Sequence, residues 1–212
     1  FDRFPEMPIL WITSWFDWYP RTISDGYQKM VAMGRKDQHL IVGPWTHWNF
    51  RYTVGDVNFP NQGGGIADRP AFLDFELAWF DRHLKGIDEV ETGPPVQFYV
   101  MGGGDGRRGA NGRLNHGGRW HRGDAWPPMN VEPTKYYLRA DGTLSTELSK
   151  RPEASSTFVH DPADTVSSNG RCIISYGPSL GKGFGGMGPR DQVDLPTLPG
   201  HGLPGHGLPG HG

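Results

Sequence analysis

Met7-Pro-Ile-Leu-Trp-Ile-Thr-Ser-Trp-Phe-Asp17 and His39-Leu-Ile-Val-Gly-Pro-Trp-Thr-His47 decide how this chain reads. Each is a short apolar run with the character of a buried strand, and each delivers one polar residue, Asp17 and then His47, just past its end. In an open parallel α/β sheet the ligand crevice lies outside the carboxyl ends of the strands, so residues delivered there by neighbouring strands converge. An Asp and a His so placed are two thirds of a Ser-His-Asp triad. The bland readings stand beside this one: Asp17 as a cap on the backbone N–H groups of a following helix, and His47 as an ordinary loop histidine bonded to a carbonyl.

The interval between Asp17 and His47 has room for a single crossover helix, the usual link between successive parallel strands. Residues 22–33 supply Ile23, Tyr27, Met30, Val31 and Ala32 at helical spacing, and Gly34 follows where a C-terminal glycine is expected. Residues 68–85 predict a second helix, with Asp68 as N-cap, Pro70 in the first turn, Leu73, Leu77, Phe80 and Leu84 on one apolar face widened by Phe72, Phe75 and Trp79, and Gly86 after it. Residues 96–101 read as a buried strand. Beyond them Asp141-Gly142, between Lys135-Tyr-Tyr-Leu and Leu144, is a hairpin signal. The expected fold class is α/β, giving way to antiparallel β structure after a loop at about 103–130.

In sequence order, Trp15-Phe-Asp17, Gly43-Pro-Trp-Thr-His47, Gly55-Asp-Val57, Ala78-Trp-Phe-Asp-Arg-His-Leu-Lys-Gly86, Pro94-Pro-Val-Gln-Phe-Tyr-Val-Met-Gly102, Asp124-Ala-Trp-Pro-Pro128 and His160-Asp-Pro-Ala-Asp164 resemble the cocaine-esterase-like (CocE/NonD) hydrolases. That group is related to the X-Pro dipeptidyl-peptidases, α-amino acid ester hydrolases and glutaryl acylases. The resemblance runs from Phe4 to about Gln192. It implies the C-terminal part of an α/β-hydrolase domain over 1–102, the start of a jelly-roll domain over 103–195, and a low-complexity tail over 196–212. It also implies that Asp17 is similar to the family's triad acid and His47 to its base, while Asp56, a rival carboxylate, is structural. In that fold the triad follows the order Ser, Asp, His, so the serine, its oxyanion-hole neighbour and the cap are expected before Phe1, and the chain alone is expected to be inactive. No cofactor and no metal are implied. The implied partner is a small ester, amide or peptide substrate.

Gly177-Pro-Ser179-Leu-Gly181 matches the nucleophile-elbow pattern, which needs a strand before it and a helix after it. The following Gly181-Lys-Gly-Phe-Gly-Gly-Met-Gly188 is too glycine-rich for a helix, and the serine would follow the histidine, so Ser179 is not expected to be catalytic. Leu198-Pro-Gly-His-Gly202 then repeats twice more, a five-residue period too rich in Gly and Pro to bury a core. Its His201, His206 and His211 match no structural zinc spacing, and His116 and His121 lack the carboxylate or cysteine neighbours of a metal site.

A net charge of −2 argues against a nucleic-acid partner. The apolar runs fall short of the roughly 20 residues that cross a bilayer, and Cys172, the one cysteine, cannot pair within the chain. Compartment is left open. The edge of the strand at 9–13 and the apolar face of the helix at 68–85 are expected to promote a homo-oligomer or aggregation. Against the hydrolase reading stands a second one, a non-catalytic β-rich binding module or a degenerate enzyme remnant.

Overall fold

The computed structural model describes residues 3–47, 50–61, 65–66, 69–139, 141–149, 157 and 159–163. Asp68, Cys172, Ser179, Asp191 and the repeat histidines lie outside them. The described elements run β1 (Ile9–Phe16), α1 (Pro20–Ala32), β2 (Gln38–Thr46), β3 (Thr53–Val54), β4 (Val57–Asn58), α2 (Arg69–Lys85), β5 (Val96–Val100), β6 (Leu114–Asn115), β7 (Arg119–Gly123), β8 (Tyr137–Leu138) and β9 (Leu144–Ser145).

The main sheet has the order β1-β2-β5-β7. Its first three strands are parallel and β7 returns antiparallel to β5. Central β2 is buried almost throughout, which is why Leu40, Ile41 and Val42 are consecutive rather than alternating with polar residues: a parallel strand covered on both faces needs apolar side chains on both. Its two faces feed two cores. Tyr27, Leu40, Val42 and Val96 pack with Trp11 and Ile23 on the α1 side, and Ile41, Trp45, Phe50, Phe72, Tyr99 and Trp120 pack on the other. β7, beyond the boundary expected at 102, thus contributes Trp120 to the core of the first hundred residues.

Helix α1 begins with Pro20 at its first turn and no side-chain cap. It ends in a Schellman arrangement, with Gly34 N–H on Val31 C=O at 2.9 Å and Arg35 N–H on Met30 C=O at 3.1 Å, Gly34 at φ +74° supplying the left-handed turn. Tyr27 and Met30 are 2% and 1% exposed, each burial contributing about 1.5–3 kcal/mol. Val31, expected on the same face, is exposed.

The expected apolar face of α2 requires correction. Leu73, Leu77, Phe80 and Leu84 are exposed, and Phe72 and Trp79 are the buried side chains. The helix carries apolar residues on two sides, so periodicity alone left the choice of inward face open. Stacking of Phe72 on Phe50 (ring centroids 4.1 Å) and of Trp79 edge-on to His39 (4.8 Å) fixes it. Residues 53–58 form a tight antiparallel pair, β3 with β4, to which β6 adds in parallel. The expected hairpin at Asp141-Gly142 is present as β8 and β9, with Gly142 at φ +79°.

Candidate functional site

β1 and β2 run side by side in parallel with a constant register from Ile9↔Gln38 to Ser14↔Gly43. The next pair is Phe16↔Thr46, so β2 holds one residue more than β1 across this step. Pro44, which has no N–H for the ladder, sits in that bulge. Gly43 is required there because a Cβ would lie 2.1 Å from the Trp45 ring, which folds back over it. Had the earlier register continued, Asp17 would fall opposite Thr46. The extra residue instead aligns the step that carries Asp17 with the step that carries His47.

His47 Nδ1 lies 3.0 Å from Asp17 Oδ2, and the two side chains are 18% and 12% exposed respectively. The other carboxylate oxygen, Oδ1, accepts the backbone N–H of Trp18 at 2.5 Å and of Tyr19 at 3.1 Å. Asp17 Oδ1 thus holds the two residues that precede α1, while Oδ2 meets the imidazole; the helix itself receives no side-chain cap, so the cap reading of Asp17 is not realised. Tyr19 meets His47 edge-on, with ring centroids 6.1 Å apart. Trp15 donates Nε1–H to the carbonyl of Tyr99 at 2.6 Å, tying the end of β1 across the sheet to β5.

A carboxylate on Nδ1 favours the tautomer with its proton on that nitrogen, which leaves Nε2 as the basic atom. An imidazole so held can take a proton from a hydroxyl and return it. Ser14 lines the same cavity, but its buried Oγ has no hydrogen-bond partner and so makes no hydrogen bond to His47. Asp56 sits in the β3–β4 turn, where its backbone carbonyl accepts from Leu114, and is not among the cavity walls. His116 packs on Phe59, and His121 lies over Phe98 with Arg119 Nε at 3.1 Å from its Nε2.

A cavity of about 170 Å³ adjoins the Asp17–His47 pair. Ile12, Trp45, Phe50 and Phe72 supply its apolar walls, and Glu76 of α2 also lines it. Glu76 was not singled out from the sequence. The sequence offered no signal for it beyond a carboxylate one turn after Phe72, because the inward side of α2 is fixed only by packing.

No family model matches the chain. Among known proteins, a cocaine esterase from Rhodococcus sp. (strain MB1 Bresler) is 30% identical over 189 residues, covering 82% of this chain. The chain is related to that esterase. It spans 28% of the esterase's length. In three dimensions it resembles an aminopeptidase from the marine sediment archaeon Thaumarchaeota archaeon, with a TM-score of 0.53 at 23% identity, covering 81% of this chain and 26% of the other. The mixed sheet described above is thus the fold of part of that larger enzyme. Among the described residues no helix is long and apolar enough to cross a membrane.

Proposed function

We propose that this chain carries the acid and base of a serine-type acyl-transfer site, with Asp17 as the acid and His47 as the base, in a hydrolase whose nucleophile comes from outside these residues. The contact of 3.0 Å between Asp17 Oδ2 and His47 Nδ1, at the carboxyl ends of adjacent parallel strands, carries this reading. The relationship to an esterase and the fold likeness to an aminopeptidase support it and suggest esters, amides or peptides as substrates. In this reading 1–102 belongs to an α/β-hydrolase domain, and the β8–β9 hairpin opens a jelly-roll domain.

The chemistry follows from the pair. A serine hydroxyl is a weak nucleophile until a base accepts its proton. His47 Nε2 takes that proton as the serine oxygen bonds to the substrate carbonyl carbon, and Asp17 stabilises the resulting imidazolium. The tetrahedral species then collapses, its bond to the leaving oxygen or nitrogen breaks, and Nε2 returns the proton to the departing group. Water, deprotonated by the same nitrogen, hydrolyses the acyl-enzyme. The test is hydrolysis of 4-nitrophenyl acetate and of an amino-acid 4-nitroanilide by the intact polypeptide containing this segment. His47→Ala should lower kcat by at least about 10⁴, and a loss of less than tenfold would reject the assignment.

A further inference from the structure

A second cavity, of about 530 Å³, shares no residue with the one beside the Asp17–His47 pair. Residues 58–60, the glycine-rich stretches 102–105 and 117–118, and Asn115 line it. These segments are tied to one another. Fully buried Tyr99 sets its Oη 2.8 Å from the carbonyl of Pro60 and 3.0 Å from that of Gly117, and His116 N–H donates to the carbonyl of Asn58 at 2.9 Å. Backbone also packs on backbone: a Cβ at Gly102 would stand 2.3 Å from Gly118 N, and one at Gly104, where φ is +70°, would stand 2.2 Å from the carbonyl oxygen of Asn115. The groove is thus formed before any ligand arrives, and its volume falls within the roughly 300–1,000 Å³ of small-molecule sites.

Several of its hydrogen-bonding groups have no protein partner. The Asn58 amide is matched by Asn111 in both directions, at 2.9 and 2.8 Å. Half-buried Asn115 has no such match: among the described residues its side chain neither donates nor accepts. Asp105 uses one carboxylate oxygen on Arg107 N–H, at 2.9 Å, which leaves the other. The N–H groups of Gly103 and Gly104 donate to no described residue. The set is therefore mixed, with backbone donors, an accepting carboxylate and an amide that does both.

The geometry points to a binding groove for a neutral disaccharide. Each sugar hydroxyl donates once and accepts through two lone pairs, which suits donors and acceptors side by side, and the C–H faces of the rings suit Phe59 and Pro60. No lining side chain is cationic, and Asp105 would repel an anion. An ammonium, with donors alone, would match Asp105 but not the glycine N–H groups. A divalent cation would need several oxygen ligands, and among the described residues no three His, Cys, Asp or Glu side chains gather to supply them. This site does not rest on the hydrolase reading.

The probes are cellobiose and maltose, titrated into the ¹⁵N-labelled full 212-residue chain, with methylamine and inorganic phosphate as charged comparators. At least one disaccharide should give saturable shifts of the Gly103 and Gly104 N–H and Asn115 side-chain NH₂ signals, and neither comparator should. Asp105→Asn should weaken that binding about tenfold and Asn115→Ala about threefold. No saturable shift at these residues with either disaccharide, a larger response to methylamine or phosphate, or undiminished affinity in both folded variants would overturn the inference. Signals remote from the groove report whether a variant is folded, and the unsubstituted titration stands even if one is not. Hydrolysis plays no part in this readout; the hydrolase reading fails separately, if the intact enzyme is indifferent to His47→Ala.

Discussion

Replacing Asp17 by Asn tests the geometry of the pair more sharply than removing the side chain would. Oδ1 of Asp17 accepts two backbone N–H groups, from Trp18 and Tyr19, and Oδ2 faces His47 Nδ1. A carboxamide has one oxygen and one NH₂. With its NH₂ turned toward the two backbone donors, three donors would crowd one place and two backbone groups would lose their acceptor, at about 1–3 kcal/mol each. The amide oxygen must therefore take the Oδ1 position, and the NH₂ must donate to Nδ1 of His47. The histidine is then driven into the opposite tautomer, with its proton on Nε2, where it cannot accept one from a hydroxyl. The same exchange in a known protease lowers kcat about 10⁴-fold, or about 5 kcal/mol of barrier. The switch itself is visible without turnover. Long-range ¹⁵N correlation spectra of the imidazole, recorded at pH 9 where an ordinary histidine is neutral, should show the Nδ1–H form in the unsubstituted chain and the Nε2–H form in Asp17→Asn. The same tautomer in both proteins would refute the reasoning.

Tyr99 is fully buried, and its Oη lies 2.8 Å from the carbonyl of Pro60 and 3.0 Å from that of Gly117; Tyr99→Phe should cost about 1–3 kcal/mol in urea unfolding. Burial pushes the Tyr99 phenol up to about 12. Its share of stability should be complete below pH 10 and lost as pH rises toward 12, a decline that Tyr99→Phe should remove. Burial first, and then the neighbouring His83 and Arg82 against the opposing pull of Asp37, hold the His39 imidazole below its ordinary range. The unfolded chain therefore binds the proton first, so stability should fall as pH drops below about 6.5, by at most about 1.4 kcal/mol per pH unit for this group, and His39→Gln should flatten the fall. Gly43→Ala should destabilise by about 1–3 kcal/mol through overpacking against Trp45. It should also loosen the dyad, seen as faster exchange of the His47 Nδ1–H proton.

Much of the site was legible because its signals are local. An apolar run without alternation marks a strand covered on both faces, Gly34 marks the end of α1, and Asp141-Gly142 marks a hairpin; each depends on the conformational preferences of a few neighbouring residues. Order along the chain, strand then Asp and strand then His, was likewise enough to nominate Asp17 and His47. The cap reading of Asp17 fails by a short distance, because Pro20 opens α1 and the two N–H groups that Oδ1 accepts, those of Trp18 and Tyr19, precede the helix.

Other features depend on who meets whom. Sequence periodicity offered α2 two apolar sides, and only the stacking of Phe72 on Phe50 and of Trp79 on His39 turned one of them inward, leaving Leu73, Leu77, Phe80 and Leu84 outside. That rotation is also what brings Glu76 to the cavity. The one-residue bulge at Gly43-Pro44-Trp45 depends on pairing between strands, and it sets Asp17 beside His47 rather than beside Thr46. β1, α1, β2, α2, β5 and the β8–β9 hairpin were readable along the chain, as was the placing of Asp17 and His47 after two strands, since these follow from propensity and hydropathy within short windows, whereas the short strands β3, β4 and β6 and the returning β7 were not. Register, the inward face of α2 and the company of Glu76 were fixed on folding, because each rests on contacts between residues far apart in the chain.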